Sequence, residues 1–160
     1  GGLEHARSDL FAGRPWLLTP DQTESVRLTG PSDAIDKLSA FITALGATPR
    51  MLGAEAHDRM LAFLSHLPQL TASALMQFVG DAVGPDGLAL AGRGLADTTR
   101  LASSPADIWT DIAATNADEI GRALDALIAV LETMRGDLSS GDRISDVFTA
   151  AARWRERLAK

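Results

Sequence analysis

Apolar positions recur along this chain with two different periods, and the change of period divides it. Pro15-Trp16-Leu17-Leu18-Thr19-Pro20 is a short apolar run fenced by prolines, the pattern of a buried strand and too short for a helix. From Ser32 onward Ile35, Leu38, Ile42 and Leu45 recur at helical spacing, with Pro31 in front and Gly46 placed to close the helix in a left-handed conformation. Arg50-Met51-Leu52 reads as a second short strand, so residues 15 to 53 predict a strand-helix-strand unit. A free-standing sheet of two strands is marginal. Such a unit either docks on the helices or belongs to a sheet whose remainder lies outside this chain.

Beyond Gly53 the period is helical almost throughout. Ala54 to Val83 predicts a long helix interrupted at Pro68, which cannot donate to the Leu64 carbonyl and kinks or splits the helix there. Residues 84 to 94 carry Gly84, Gly87, Gly92 and Gly94, which predicts a loop. Ser104-Pro105 has the form of an N-cap followed by proline at the first helical position, opening a helix through Trp109 to Thr115. Asn116 with Glu119 resembles a capping box, after which Ile120, Leu124, Leu127, Ile128 and Leu131 form one stripe up to Gly136. A last helix starts around Gly141-Asp142 and carries Val147, Phe148, Ala151, Trp154 and Leu158. With Ala123 and Val130 added, the apolar face of the 117 to 135 helix is wider than one neighbour covers, which predicts self-association, most simply twofold. The fold class is therefore mainly α.

Composition narrows the function classes. Apolar residues make up 46% of the 160, enough for a real core. No stretch approaches the roughly 20 uninterrupted apolar residues of a bilayer span, so no membrane partner is expected. Fifteen basic against 21 acidic residues leave a net charge of -6, which repels a phosphate backbone and argues against nucleic acid. The absence of cysteine removes disulfides, thiolate nucleophiles and Cys-type zinc sites, and fits a reducing compartment. Histidine occurs at 5, 57 and 66 alone. The opening Gly1-Gly2-Leu3 has no initiator Met and no signal-peptide pattern, the look of a piece of a longer protein.

Most catalytic signatures fail on context. Gly92-Arg93-Gly94 begins like a dinucleotide turn, but position 97 is Asp and no strand leads into it. His57 and His66, nine residues apart, fall on opposite faces of a straight helix, so no metal site is expected. No Gly-x-Ser-x-Gly elbow occurs. What remains is polar chemistry on apolar helices: His57-Asp58-Arg59, Ser65-His66-Leu67-Pro68-Gln69 and Asp97-Thr98-Thr99-Arg100. The second group sits at a proline break, which suits a pocket wall. The third follows the glycine-rich stretch and ends in an arginine whose planar fork matches a carboxylate, with Asp97 at i, i+3 able to hold it. The plainer reading is a hydrogen-bonded structural role for each histidine, a surface or capping role for Arg100, and a core role for Trp109. The residues alone support a helical domain with a candidate pocket for an anionic ligand.

The run His57 to Gln69, followed by Gly92-Arg93-Gly94-Leu95-Ala96-Asp97-Thr98-Thr99-Arg100-Leu101-Ala102 and Ile108-Trp109-Thr110-Asp111-Ile112, resembles the prephenate and arogenate dehydrogenases of tyrosine biosynthesis. Asp9-Leu10-Phe11-Ala12-Gly13-Arg14-Pro15-Trp16-Leu17-Leu18-Thr19-Pro20 is similar to the segment that follows the catalytic histidine of that family. The resemblance implies that residues 1 to 53 are the tail of a Rossmann domain binding NAD or NADP. It implies that residues 54 to 160 form an all-helical substrate-binding and dimerization domain, like the C-terminal domain of 6-phosphogluconate dehydrogenase. It further implies a cytoplasmic homodimer that oxidatively decarboxylates prephenate or arogenate. Arg100 matches the arginine that binds the ring carboxylate, Asp97 would orient it, and His57, Ser65, His66 and Trp109 match positions near the pocket. Gln69 stands where many members have a second histidine, and Arg93 where many have glycine. The catalytic histidine and the nucleotide turn of the family have no counterpart in these residues, so the chain by itself is expected to be inactive. The alternative is a stand-alone helical module that dimerizes or senses a carboxylate ligand without catalysis.

Overall fold

The computed structural model describes residues 6–20 and 33–158. The sequence features at Gly1-Gly2-Leu3, His5, Pro31 and Ser32 lie outside them. Two compact units divide the chain, one up to Leu61 and one from Ala62.

The first unit contains β1 (Pro15–Leu18), α1 (Asp33–Ala44), β2 (Thr48–Met51) and α2 (Ala54–Leu61). The strands pair in parallel, Pro15 opposite Thr48 through Leu18 opposite Met51. The ladder extends at both ends, where Thr48 N–H donates to Arg14 O at 2.8 Å and Leu52 N–H to Leu18 O at 2.9 Å. Among the described residues the sheet has these two strands. Helix α1 ends as its glycine predicts: Gly46 has φ 83°, its N–H donates to Thr43 O, and Ala47 N–H donates to Ile42 O. This pair of bonds satisfies the last carbonyls of the helix and turns the chain into β2. The turn brings Thr48 directly against Arg14, so β2 begins two residues before the predicted Arg50. Ile42, fully buried, is the side chain around which this unit closes.

The second unit opens with a π-helical turn, Ala62–His66, followed by α3 (Leu67–Leu88), α4 (Arg93–Thr98), a 3-10 turn (Arg100–Ser103), α5 (Ala106–Thr115), α6 (Ala117–Gly136) and α7 (Asp142–Leu158). The predicted break at Pro68 is displaced upstream. The π turn precedes it, and Pro68 falls in the first turn of α3, where its missing N–H leaves no bond unmade. The core lies where the π turn meets α6: Ala62 and Ala123 are fully buried with Ile120, and Leu67, Leu70, Ala113 and Leu124 pack around them. Two alanines at the centre let the backbones approach closely. The same choice leaves large side chains outside: Leu64, Phe78 and Leu90 on the first half of the unit, Ile128 and Leu131 on α6, and Phe148 and Trp154 on α7 are all at least half exposed.

Residues 84 to 94 are not the loop their glycines predict. Gly84 alone leaves the helical conformation, at φ 64° and ψ -176°, and helix resumes at Pro85 to run on to Leu88. The irregular stretch shrinks to residues 89–92, and Gly92 is the N-cap of α4. The glycines punctuate helices here: one breaks, one caps, and Gly87 is packed so closely on Val83 that a Cβ would lie 2.5 Å from its side chain. Ahead of α7, Asp137 acts as a cap from outside the helix. Its Oδ2 accepts from Arg143 N–H at 2.7 Å and Ile144 N–H at 3.2 Å, while the Ser140 hydroxyl donates to Oδ1. The Ser140 hydroxyl is the main cause that holds the Asp137 carboxyl below its ordinary value of 3.8; desolvation opposes it, and the two amides and the Arg143 charge add to it.

Two predictions follow from these ends and breaks. The backbone of Gly84 lies in a region that is essentially glycine-only, so Gly84→Ala should lower unfolding stability by about 1–3 kcal/mol in denaturant titration. A carboxyl with a depressed folded-state pKa contributes stability that is complete above its unfolded value and is lost as pH falls through the lower folded value. Amide protection of Arg143 and Ile144 should therefore hold from neutral pH down to about 5 and collapse in stronger acid, and Asp137→Asn should abolish that acid transition.

Candidate functional site

The second unit contains an open pocket of about 530 Å³ between α3, the segment after the 3-10 turn, and α5. Its floor is Gln69 and Ser73 on α3; Ala102, Ser104 and Ala106 form one wall, and Trp109, Thr110 and Ala113 on α5 form the other. Gln69 is buried, yet its amide is matched on both sides. Nε2 donates to Leu101 O at 2.7 Å and, more weakly, to Ser73 Oγ at 3.4 Å, while Oε1 accepts from the Ser104 hydroxyl at 3.2 Å. Ser104 is therefore not the N-cap of α5. Pro105 occupies that position and the helix begins at Ala106. The hydroxyl that local spacing assigns to a cap serves a partner 35 residues away.

Beside the pocket, His66 is buried at the end of the π turn. Asn116 Nδ2 donates to its Nδ1 at 3.3 Å, and its ring meets the Trp109 indole edge-on at a centroid distance of 6.1 Å. With Nδ1 accepting, the neutral ring carries its proton on Nε2. At the predicted capping box, Asn116 is the N-cap residue of α6 by position, but its side chain makes no cap bond, and Glu119 accepts from Arg122 at 2.6 Å. The Asn116 side-chain amide is directed to the buried His66 imidazole. Trp109 is half-buried and lines the pocket instead of filling the core.

The structure thus brings His66, Gln69 and Trp109 together and adds Ser73, Ser104, Thr110 and Asn116, which local spacing does not single out. Ser65 is half-buried in the π turn. Arg93, Asp97 and Arg100 are exposed and do not line the pocket. Among the described residues no hydrogen bond or ion pair joins Asp97 to Arg100, so the predicted i, i+3 pairing is absent and no carboxylate holds the Arg100 guanidinium. His57 belongs to the first unit, where its Nδ1 lies 2.9 Å from Asp58 Oδ1. Among the described residues no group of three or more metal-ligating side chains occurs, and no helix is long and apolar enough to cross a membrane. Gly92 and Gly94 follow a helix and a short connection, not a strand, so they do not form a dinucleotide-binding turn.

Comparison with known proteins supplies the class. Residues 53–149 match the family model described as prephenate dehydrogenase, dimerization domain. The chain belongs to the prephenate dehydrogenase family. It is 30% identical over 147 residues to the cyclohexadienyl dehydrogenase of Zymomonas mobilis, covering 88% of this chain and 47% of that protein. Its fold superposes on a crystal structure of prephenate dehydrogenase from A. aeolicus in complex with hydroxyphenyl propionate and NAD+ with TM-score 0.84 at 20% identity, over 98% of this chain and 54% of the other. Synechocystis arogenate dehydrogenase gives TM-score 0.78 at 21% identity, over 94% and 54%. The chain spans between 35% and 47% of the length of the curated relatives it matches.

The Asn116 contact is testable without ligand. Asn116→Ala removes the bond to the buried His66 Nδ1 and should cost about 0.5–1.5 kcal/mol in denaturant unfolding, and nitrogen NMR of His66 in the unaltered chain should show the proton on Nε2.

Proposed function

We propose that this chain supplies the carboxylate-binding and dimerizing part of a cytoplasmic prephenate or arogenate dehydrogenase, an enzyme that uses NAD or NADP for an oxidative decarboxylation. The observation that carries the reading is the family match across residues 53–149, inside which lies Arg100 with a guanidinium that no described carboxylate occupies. In this reading residues 1–53 belong to the nucleotide-binding domain and residues 54–160 to the helical domain. The parallel pairing of β1 with β2 across a helix supports the first half, since parallel strands joined by a helix are the repeating unit of nucleotide-binding sheets.

Arg100 is assigned to the substrate carboxylate. Its fork places two N–H groups on two oxygens at once, and an exposed cation with no carboxylate partner among the described residues needs no rearrangement to do so. Trp109 offers an apolar face to a six-membered ring, and the hydroxyls of the pocket suit a substrate hydroxyl. Arg93, Asp97, His57, Ser65, His66 and Gln69 are assigned to the surroundings of that substrate. A homodimer is part of the same reading, supported by the description of the matched family and by the exposed Ile128, Val130 and Leu131 of α6, too wide an apolar face for a single helical neighbour.

The test is steady-state oxidation of prephenate, and in parallel arogenate, by the protein in its full encoded length with each nicotinamide. Arg100→Ala should weaken transition-state binding by about 1.5–3 kcal/mol, seen mainly as a raised KM. An unchanged KM would remove Arg100 from the site. Tight binding of hydroxyphenyl propionate without any turnover would favour a carboxylate-binding module instead of an enzyme.

A further inference from the structure

We propose that Gln69 is a positioning residue that fixes the turn presenting Arg100; this rests on the reading above, in which Arg100 receives the substrate carboxylate. Arg100 opens the 3-10 turn, and its backbone is anchored on both sides while its side chain stays exposed. On the N-terminal side Thr99 is buried, with its hydroxyl 2.7 Å and its amide 2.9 Å from Leu95 O. On the C-terminal side Leu101 O accepts from Ser104 N–H at 3.2 Å within the turn and from Gln69 Nε2 at 2.7 Å across 32 residues of sequence.

The chemistry of the pin is specific. The turn presents one acceptor, Leu101 O, and one donor, the Ser104 hydroxyl, and a primary amide is the side chain that donates and accepts at once without carrying charge. A carboxylate at this position would meet Ser104 but oppose the Leu101 carbonyl; an apolar side chain would leave the turn with only its internal Ser104 N–H to Leu101 O bond. Both polar atoms of the Gln69 amide are engaged with the protein, so its contribution to the pocket is to hold the wall and, through Leu101, the register of Arg100. A bidentate contact between a guanidinium and a carboxylate is directional, and a turn that drifts loses it.

Gln69→Leu in the full-length protein provides the test. Exchange of the Ala102 and Ser104 amides should accelerate about tenfold or more while the amides of α6 keep their protection. The KM for prephenate should rise about tenfold or more with kcat within about twofold, the pattern of lost substrate binding. In an Arg100→Ala background the same substitution should add less than about twofold, because both changes then remove one interaction. Unchanged exchange, a fall in kcat with constant KM, or a full additional effect in the Arg100→Ala background would overturn the proposal. Where Gln69→Leu does not fold, Ser104→Ala removes only one of the two bonds and should shift exchange and KM in the same directions, about twofold or more. An Arg100→Ala variant with normal KM identifies the failure as that of the Arg100 assignment, and the positioning role falls with it even if exchange responds.

Discussion

The second unit depends on the pairing of two polar side chains that its packing has buried. Gln69 and His66 stand within one turn of each other on neighbouring helical segments, both withdrawn from water. A buried polar group without a partner costs more than a typical hydrogen bond contributes, so each of these residues dictates what must lie opposite it. Gln69 requires an acceptor and a donor and finds them in the turn at 101–104. His66 finds the side-chain amide at the root of α6. Through these two demands the helix following the π turn gathers the 3-10 turn, α5 and α6, and the pocket is the space left between them.

The apolar core contributes less to this arrangement than its share of the sequence suggests. Its centre is two alanines and one isoleucine, which bring the π turn and α6 close but bury little area. The large apolar side chains of α6 and α7 face outward, and burial against a second copy would recover much of what the single chain leaves exposed. A domain built this way concentrates its internal precision in polar contacts and carries its larger apolar side chains at its surface.

Local order was legible in the sequence wherever the cause was local. The stripe at Ile35, Leu38 and Ile42 with Gly46 behind it describes α1 and its closing bonds, and the proline-fenced run at 15–20 describes β1. Ser104 and Asn116 are both good capping residues, and both are spent on partners 35 and 50 positions away, a choice no window of spacing reveals. Similarly, four glycines in eleven positions suggest a loop, because composition cannot distinguish a glycine that breaks one helix from a glycine that caps the next. The candidate site was legible in part: His66, Gln69 and Trp109 are drawn together, but Arg100 stands apart from the pocket and without the Asp97 partner its spacing suggests.

The polar groups that line the pocket carry no titratable charge. Gln69, Ser73, Ser104 and Thr110 exchange no protons near neutrality, so the lining keeps a constant charge and a constant set of donors and acceptors. The His66 imidazole lies outside that lining and touches it only edge-on, through the Trp109 indole. A molecule in the cavity therefore meets a neutral surface, and selection there rests on shape and on the direction of each donor and acceptor.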